Sequence, residues 1–311
     1  MMPHVLITGG TGVIGHALTR TLLQEGFQVT VLTRQLPGHN GMPGVRYARW
    51  DIARSYIEPD AIEKADYIVH LAGAGIADKR WTARRKAEIV NSRTSSSRLI
   101  AAYLATKTHR VKAVISSSAI GWYGQDPEVP NPHPFTEMAK PDAGFLGETC
   151  RQWEESIEAV SSGGVRLVKL RTGIVLTTEG GALKEFLRPL KWGLATILGN
   201  GRQMISWIHI KDLVALYLKA IRDDHWQGAY NAVAPEPVSN KTLILTLARN
   251  RKKFFIPVRV PGFALQLVLG EMSVEVLKSA TVSSAKAAAG GFQFSYPHLQ
   301  EAVVNLLAGE K

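Results

Sequence analysis

Cysteine is almost missing from this chain: Cys150 is the single one in 311 residues. One thiol cannot close an internal disulfide, so folding needs no oxidising compartment, and a cytoplasmic location is expected. The same scarcity removes any thiolate zinc cluster, and none of the nine histidines stands at ligand spacing from another on one helix. No metal is expected. Long apolar runs are also lacking: Phe263 to Leu269 is among the longest, well short of the roughly 20 residues that a membrane-spanning helix needs. No basic stretch followed by an apolar one and a small-residue cleavage site opens the chain, so no signal peptide is expected. No GxSxG elbow surrounds a serine, which leaves a hydrolase triad without local support. Internal repeats and low-complexity linkers are absent too.

Acid is in short supply, with 26 Asp and Glu against 37 Lys and Arg, a net charge of +11. The basic excess is scattered along the chain. Only Lys79-Arg80, Arg84-Arg85-Lys86 and the stretch from Arg249 to Lys253 cluster. That distribution reads as a solvated basic surface, or one that draws in a phosphorylated ligand, and not as a nucleic-acid site. What is plentiful is ordinary globular material: 45% hydrophobic and 20% charged residues with a mean hydropathy of -0.02. The length allows one large core, or two smaller ones sharing an interface.

The first half alternates short apolar runs with helical stretches, the pattern of βαβ units around a parallel sheet. Strands are expected at His4 to Thr8, Gln28 to Thr33, Asp66 to Ala72, Lys112 to Ser117 and Arg166 to Leu170. Helices are expected at Gly15 to Gln24, Arg84 to Thr106 and Gly147 to Ser161. After Gly173 the rhythm changes, and Thr177 to Arg202 reads as loops and short helices. Asp212 to Arg222 is apolar at helical spacing, with Asp212 placed to cap its first turn. The expected division is a nucleotide-binding α/β domain at 1–173, with 206–234 packing back on it, and a smaller, mainly helical substrate lobe from 174–205 and 235–311.

The run TGGTGVIG, Thr8 to Gly15, joins the first strand to the first helix with glycines at GxxGxxG spacing. Gly9 permits the tight turn, Gly12 lets the backbone approach a pyrophosphate, and Gly15 lets helix and strand pack closely. The free N–H groups of the helix start, with Gly10, Thr11, Val13 and Ile14 around them, then face the phosphates. An acid at the end of the second strand would hold the ribose 2′-OH of NAD. This strand ends in Thr33-Arg34 instead. A guanidinium can grip a 2′-phosphate, so Arg34 with Thr33 points to NADP(H); the bland alternative is an exposed arginine at a loop entrance.

With these residues in place the chain resembles the extended short-chain dehydrogenase/reductase superfamily. More closely, it is similar to the uncharacterised NAD-dependent epimerase/dehydratase-like subfamily of atypical members that carries an extra C-terminal domain. The resemblance rests on TGGTGVIG, HLAGAGI (70–76), NSRT (91–94), SSSAIGWYG (116–124), LRTGIVL (170–176), SWIHIKDL (206–213), YNAVAPEPV (230–238) and the closing GFQFSYPHLQEAV. It implies a Rossmann-type doubly wound parallel sheet. It also implies that Leu71, Ala72 and Gly73 pass under the cofactor and that Asp51 and Ile52 lie near adenine. Glu88 and Arg93 would border the cofactor, and Ile174 would close its nicotinamide end; a plain charged pair on a helix face is the alternative for Glu88 and Arg93.

Typical superfamily members use a Ser or Thr with a YxxxK pair, the lysine lowering the tyrosine pKa for proton exchange. Only Tyr103 has a lysine four residues on, Lys107, and it stands on the helix before the Ser116 strand, so both read as structural. If Glu154 aligns with the acid that often follows YxxxK, Leu146 takes the tyrosine position and Cys150 the lysine position. Neither can do that chemistry. Ser118, which matches the family serine, Tyr123 and Glu148 remain as catalytic candidates, against loop hydrogen bonding or helix capping. Cys150 reads as a buried small hydrophobe, and His209 and Asp212 read as structural. Trp122, Trp192 and Trp207 are candidates to line a substrate cleft, or packing. The expected function is an NADP(H)-dependent oxidoreductase or epimerase acting on an unidentified small carbonyl or hydroxyl metabolite; the alternative is an NADPH-binding sensor or interaction protein. No nucleic-acid or membrane partner is expected, and the chain is expected as a monomer or homodimer.

Overall fold

The structure is a computed structural model that describes residues 2–308; residues 1 and 309–311, which the expected domain boundaries include, lie outside the described residues. The chain opens with β1 (His4–Thr8), α1 (Val13–Gln24) and β2 (Gln28–Thr33). β1 is buried along its whole length, as a parallel strand covered on both faces must be. Next come β3 (Val45–Asp51), β4 (Tyr56–Ile57), α2 (Pro59–Glu63), β5 (Tyr67–His70) and α3 (Ala83–Thr106). They are followed by β6 (Ala113–Ala119), α4 (Phe145–Ile157), α5 (Ala159–Ser162) and β7 (Arg166–Thr172). The single helix expected from Gly147 to Ser161 thus starts at Phe145 and breaks at Glu158. β3 was not foreseen, because its three charged residues, Arg46, Arg49 and Asp51, interrupt the apolar run; near the sheet edge it buries only Ala48 and Trp50.

The second half runs through β8 (Ile174–Leu176), α6 (Gly181–Leu190), β9 (Leu194–Leu198), β10 (Met204–Ile205), β11 (Trp207–His209), α7 (Ile210–Arg222) and β12 (Gly228–Ala232). β13 (Val238–Ser239), α8 (Asn240–Asn250), β14 (Ile256–Val260), α9 (Gly262–Leu269), α10 (Ser273–Leu277), α11 (Ala285–Ala289) and α12 (Leu299–Leu307) complete it.

The main sheet has the order β12-β7-β6-β5-β1-β2-β3-β4. Its pairs are parallel except β3 with β4. The chain leaves β1 toward β2 and later returns to β1's other side with β5. That reversal opens a crevice beyond the carboxyl ends of β1 and β5, where such sheets receive ligands. Leu18 and Leu22 of α1 with Leu216 and Ile221 of α7 cover one face. Ile62 of α2 and Leu99, Ile100 and Leu104 of α3 cover the other. This is the Rossmann-type doubly wound arrangement.

A third apolar cluster joins Leu183 and Leu187 of α6, Ile197 of β9, Leu243 and Leu247 of α8, and Val303 of α12. The stretch expected to hold only loops and short helices contains β9, which pairs in parallel with β14; just after it, β10 pairs antiparallel with β13. These strands run two to five residues and find partners far along the chain, so no local pattern announces them. Asp212 does not cap α7. His209 does, its Nδ1 accepting the Lys211 N–H at 3.1 Å. Asp212 lies inside the first turn, where its carboxylate accepts the N–H groups of Ser295 and Tyr296 at 2.9 Å each and ties the C-terminal segment to α7.

Candidate functional site

The glycines of the turn after β1 answer to different demands. Gly9 has φ +69°, and a Cβ there would meet the Leu71 carbonyl carbon at 2.9 Å. A Cβ on Gly10 would reach Val31 Cγ2 at 2.7 Å, and one on Gly15 would strike Gly9 O at 2.3 Å. Packing therefore accounts for those three. Gly12 is unlike them: its φ is −79°, and the nearest atom to a Cβ would be Gly9 O at an ordinary 3.4 Å. Nothing in the fold requires glycine there. Thr11 and Gly12 are exposed, while Val13 and Ile14 are half-buried and begin α1, whose first turn carries no acid and no side-chain cap. An open cradle under uncapped helix N–H groups fits a pyrophosphate.

Thr8 fastens the neighbouring loop to this turn. Its Oγ1 accepts the N–H groups of Leu71 and Ala72 at 3.2 Å and lies 2.7 Å from His70 Nδ1. Burial, with the Arg93 charge nearby, brings the His70 pKa down to about 3. The ring is neutral, so the network assigns Nδ1 as acceptor from Thr8 and Nε2–H as donor to Ser97 Oγ at 3.1 Å. Gly73 has the Arg93 guanidinium behind it, with Cζ 3.1 Å from where a Cβ would stand. Arg93 donates to the carbonyls of Ala74 and Ile89 at 3.0 Å and lies over Trp153. Glu88 is exposed and pairs with Arg85, not Arg93, at 2.7 Å; Arg85 also donates to Gly75 O.

Arg34 is exposed just past β2 and has no hydrogen-bonding or ionic partner among the described residues. Thr33 Oγ1 donates to Gln35 O at 2.7 Å and closes the turn that carries it. Asp51 ends β3 and accepts the Arg54 N–H at 3.2 Å, and Ile52 packs on the sheet core. Ile174 is partly exposed at the start of β8, in register with Trp207.

Beyond β6 the acid–base candidates are all engaged. Ser118 donates to Glu154 Oε1 at 2.7 Å. Arg171 forks the same carboxylate, Nε to Oε1 at 2.8 Å and Nη2 to Oε2 at 3.0 Å, and stacks on Trp122 at 3.6 Å. Its Nη1 donates to the Tyr123 hydroxyl and to Glu137 O, both at 3.1 Å. Tyr123 is 0% exposed and gives its own proton to Asn231 Oδ1 at 2.6 Å. Burial pushes its pKa up to about 12 against the pull of Arg171. The phenol is packed away from solvent with its proton on Asn231, an arrangement that does not support the expected donation from Tyr123 to a substrate oxygen. Glu148 is grasped by Arg151 and Gln152, which hold its pKa near about 2. That pairing disfavours Glu148 as a general acid and keeps its oxygens occupied as a base.

Leu146 and Cys150, where the resemblance would put the tyrosine and lysine, are buried. Leu146 packs with Trp81, Ile89, Phe145 and Met272. Cys150 donates to Ala119 O, and burial followed by the nearby Glu154 charge raises its pKa to about 12. Of the three tryptophans, Trp207 is buried in the C-terminal cluster, Trp122 lies under Arg171, and Trp192 is 84% exposed on a turn after α6. Sequence reasoning missed Arg171 and Asn231 and used Glu154 only as a marker; the signal for Arg171 was a charged residue at a buried position near the end of the strand RLVKLRT. A surface cavity of about 680 Å³ at the opposite end of the sheet is lined by His4, Arg46, Lys64 and Arg110. Its Arg and Lys charges are paired with Glu58, Asp60 and Asp66, so it makes a poor anion site.

Comparison with known proteins identifies the family and the fold. Residues 5–232 match the model of the NAD dependent epimerase/dehydratase family, and residues 260–306 match a domain of unknown function, DUF1731. An epimerase family protein of Staphylococcus saprophyticus is 35% identical over 98% of this chain and 100% of its own length. A human epimerase family protein, SDR39U1, solved with NADPH, is similar at a TM-score of 0.86 and 28% identity, covering 98% of this chain and 99% of that one. A nucleoside-diphosphate sugar epimerase of Corynebacterium glutamicum is similar at a TM-score of 0.78 and 31% identity, covering 99% of this chain and 58% of that one. Among the described residues no helix is long and apolar enough to cross a membrane, and no group of metal-ligating side chains is present.

Proposed function

This chain belongs to the NAD dependent epimerase/dehydratase family, and we propose from that premise that it binds NADP(H) and acts as an oxidoreductase or epimerase on a small carbonyl or hydroxyl metabolite in the cytoplasm. The observation that carries the reading is Gly12, a glycine the fold does not need, set under uncapped N–H groups of α1. Gly9, Gly10, Thr11, Val13, Ile14 and Gly15 build that cradle. Arg34, without a partner among the described residues, is assigned to the 2′-phosphate, and Thr33 holds the turn that presents it. Asp51 and Ile52 border adenine, and Ile174 the nicotinamide end. Leu71, Ala72 and Gly73 form the floor, braced from behind by Arg93; Glu88 acts at one remove by holding Arg85. Domain roles follow the expected division, with the cofactor on the sheet and the substrate between it and the C-terminal cluster.

The bound nicotinamide would supply or take hydride. The chain's own contribution nearby is Ser118, whose proton already belongs to Glu154. Its remaining lone pairs suit a substrate hydroxyl better than a carbonyl. NADPH and NADH titrations of wild type and Arg34→Ala test the reading. Losing about two charge-assisted hydrogen bonds should weaken NADPH roughly tenfold to a hundredfold and leave NADH unchanged. Equal affinity of wild type for both cofactors would remove the assignment. A second reading, an NADPH-binding sensor without turnover, is favoured by two observations: Leu146 and Cys150, where the resemblance would put the catalytic pair, are buried and carry no such chemistry, and Tyr123 is sealed in. NADPH oxidation over a carbonyl panel, with NADP reduction over the matching alcohols, separates the two. Turnover that falls with Ser118→Ala supports an enzyme, and binding with no turnover on any carbonyl or alcohol supports the sensor.

A further inference from the structure

Trp192 and Phe254 are large aromatic side chains left almost wholly in water, 84% and 83% exposed. They stand on adjacent turns. The Gly193 carbonyl next to Trp192 accepts the Ile256 N–H at 2.8 Å, and a Cβ on Gly193 would lie 3.3 Å from the Phe254 carbonyl. Behind them the parallel pair β9–β14 continues the apolar surface: Leu194 and Ile256 are register partners, 40% and 52% exposed. The flanks are basic. Lys191 precedes Trp192, Lys252 and Lys253 precede Phe254, all three are exposed, and none is in an ion pair among the described residues.

Burying two bulky aromatics elsewhere would have been favourable, so their exposure calls for an occupant. A second copy is disfavoured by charge. A two-fold interface sets a patch against itself, and here it would bring lysines to lysines. The neighbouring acid on α6, Glu185, is already turned to Arg188. Aromatic tips with lysines beside them match instead the boundary of an anionic bilayer, where rings sit at headgroup depth and ammonium groups reach the phosphates.

We propose that the turn pair Trp192 and Lys252-Lys253-Phe254 is a peripheral docking tip for an anionic lipid surface. The tip inserts side chains without spanning the bilayer, which accords with the absence of any spanning helix among the described residues. It also stands apart from the glycine turn, so it neither requires the cofactor reading nor lends support to it.

Sedimentation with vesicles tests it, using equal parts phosphatidylglycerol and phosphatidylcholine against phosphatidylcholine alone. Wild type should pellet with the anionic vesicles, less so as salt rises, and only weakly with the neutral ones. Trp192→Ser with Phe254→Ser should lower the partition coefficient by roughly tenfold or more, and Lys252→Glu with Lys253→Glu should abolish the preference for anionic lipid. Both variants change only exposed side chains, and an unchanged thermal melt confirms that they fold. Failure of wild type to pellet, or variants that pellet like wild type, would overturn the proposal. So would a wild-type dimer in light scattering that the aromatic variant splits, because the face would then belong to a second copy.

Discussion

Tyr123 and Arg171 share one buried environment and answer it differently. Burial favours the neutral phenol and raises its pKa to about 12, whereas the guanidinium stays charged because Glu154 forks it and Trp122 lies under it. Removing one partner of such a pair strands a charge, so the network is kept for positioning β6, β7 and α4 together. Tyr123→Phe separates structure from chemistry here. It should leave any turnover unchanged and cost about 1–3 kcal/mol of stability in a urea melt, because the Asn231 Oδ1 loses its donor. Turnover that collapses while stability holds would return Tyr123 to the catalytic candidates.

At the scale of elements, the strand–turn–helix from β1 to α1 separates glycines that the fold needs from one that it does not. Gly15→Ala pushes a methyl into Gly9 O and should destabilise by at least about 2 kcal/mol. Gly12→Ala costs under about 1 kcal/mol as an N-cap change but should weaken NADPH roughly tenfold or more by lifting the pyrophosphate off its donors. Chemical denaturation read beside cofactor titration checks both, and a Gly12→Ala protein that binds NADPH normally would count against the cradle. The β5 end carries a pH dependence as well. Folded His70 titrates near 3 against 6.5 when unfolded, so between those values the unfolded chain binds the proton and the folded chain does not. Stability is therefore complete above about pH 6.5 and falls on acidification, by up to about 1.4 kcal/mol per pH unit. His70→Asn should make that acid slope shallower. It should not flatten it, since buried His209, lowered to about 4, contributes in the same direction. An unchanged slope in His70→Asn would show that His70 does not carry it.

Across the whole molecule, the sheet domain and the C-terminal cluster are tied at Asp126. Its carboxylate accepts from Ser279 Oγ and Thr281 Oγ1, from the Thr281 N–H and from Asn131 Nδ2, joining the loop after β6 to the segment after α10. Asp126→Ala leaves those donors unpaired and should cost on the order of 3 kcal/mol. Limited proteolysis should then cut more readily between residues 260 and 280, and a melt and digestion pattern equal to wild type would show that other contacts join the two parts. The sequence alone carried the parallel strands β1, β2, β5, β6 and β7, since each is a short apolar run between helical stretches and such runs have one stable use. It also carried the glycine turn, because the spacing is local even though Gly9 and Gly10 answer to Leu71 and Val31 on neighbouring elements. It could not show β9 with β14, nor that Asp126 and Asp212 hold distant backbone, because those partnerships join residues far apart in the chain. The acid–base candidates were chosen by residue type, and type says nothing about who takes the proton. Ser118 and Tyr123 each carry the right atoms, and only the tertiary arrangement showed Glu154 and Asn231 already holding them, whereas Glu148 is held by Arg151 one turn along its own helix. A hydroxyl's chemistry is set by its neighbours, and in this fold those neighbours come from other strands and helices.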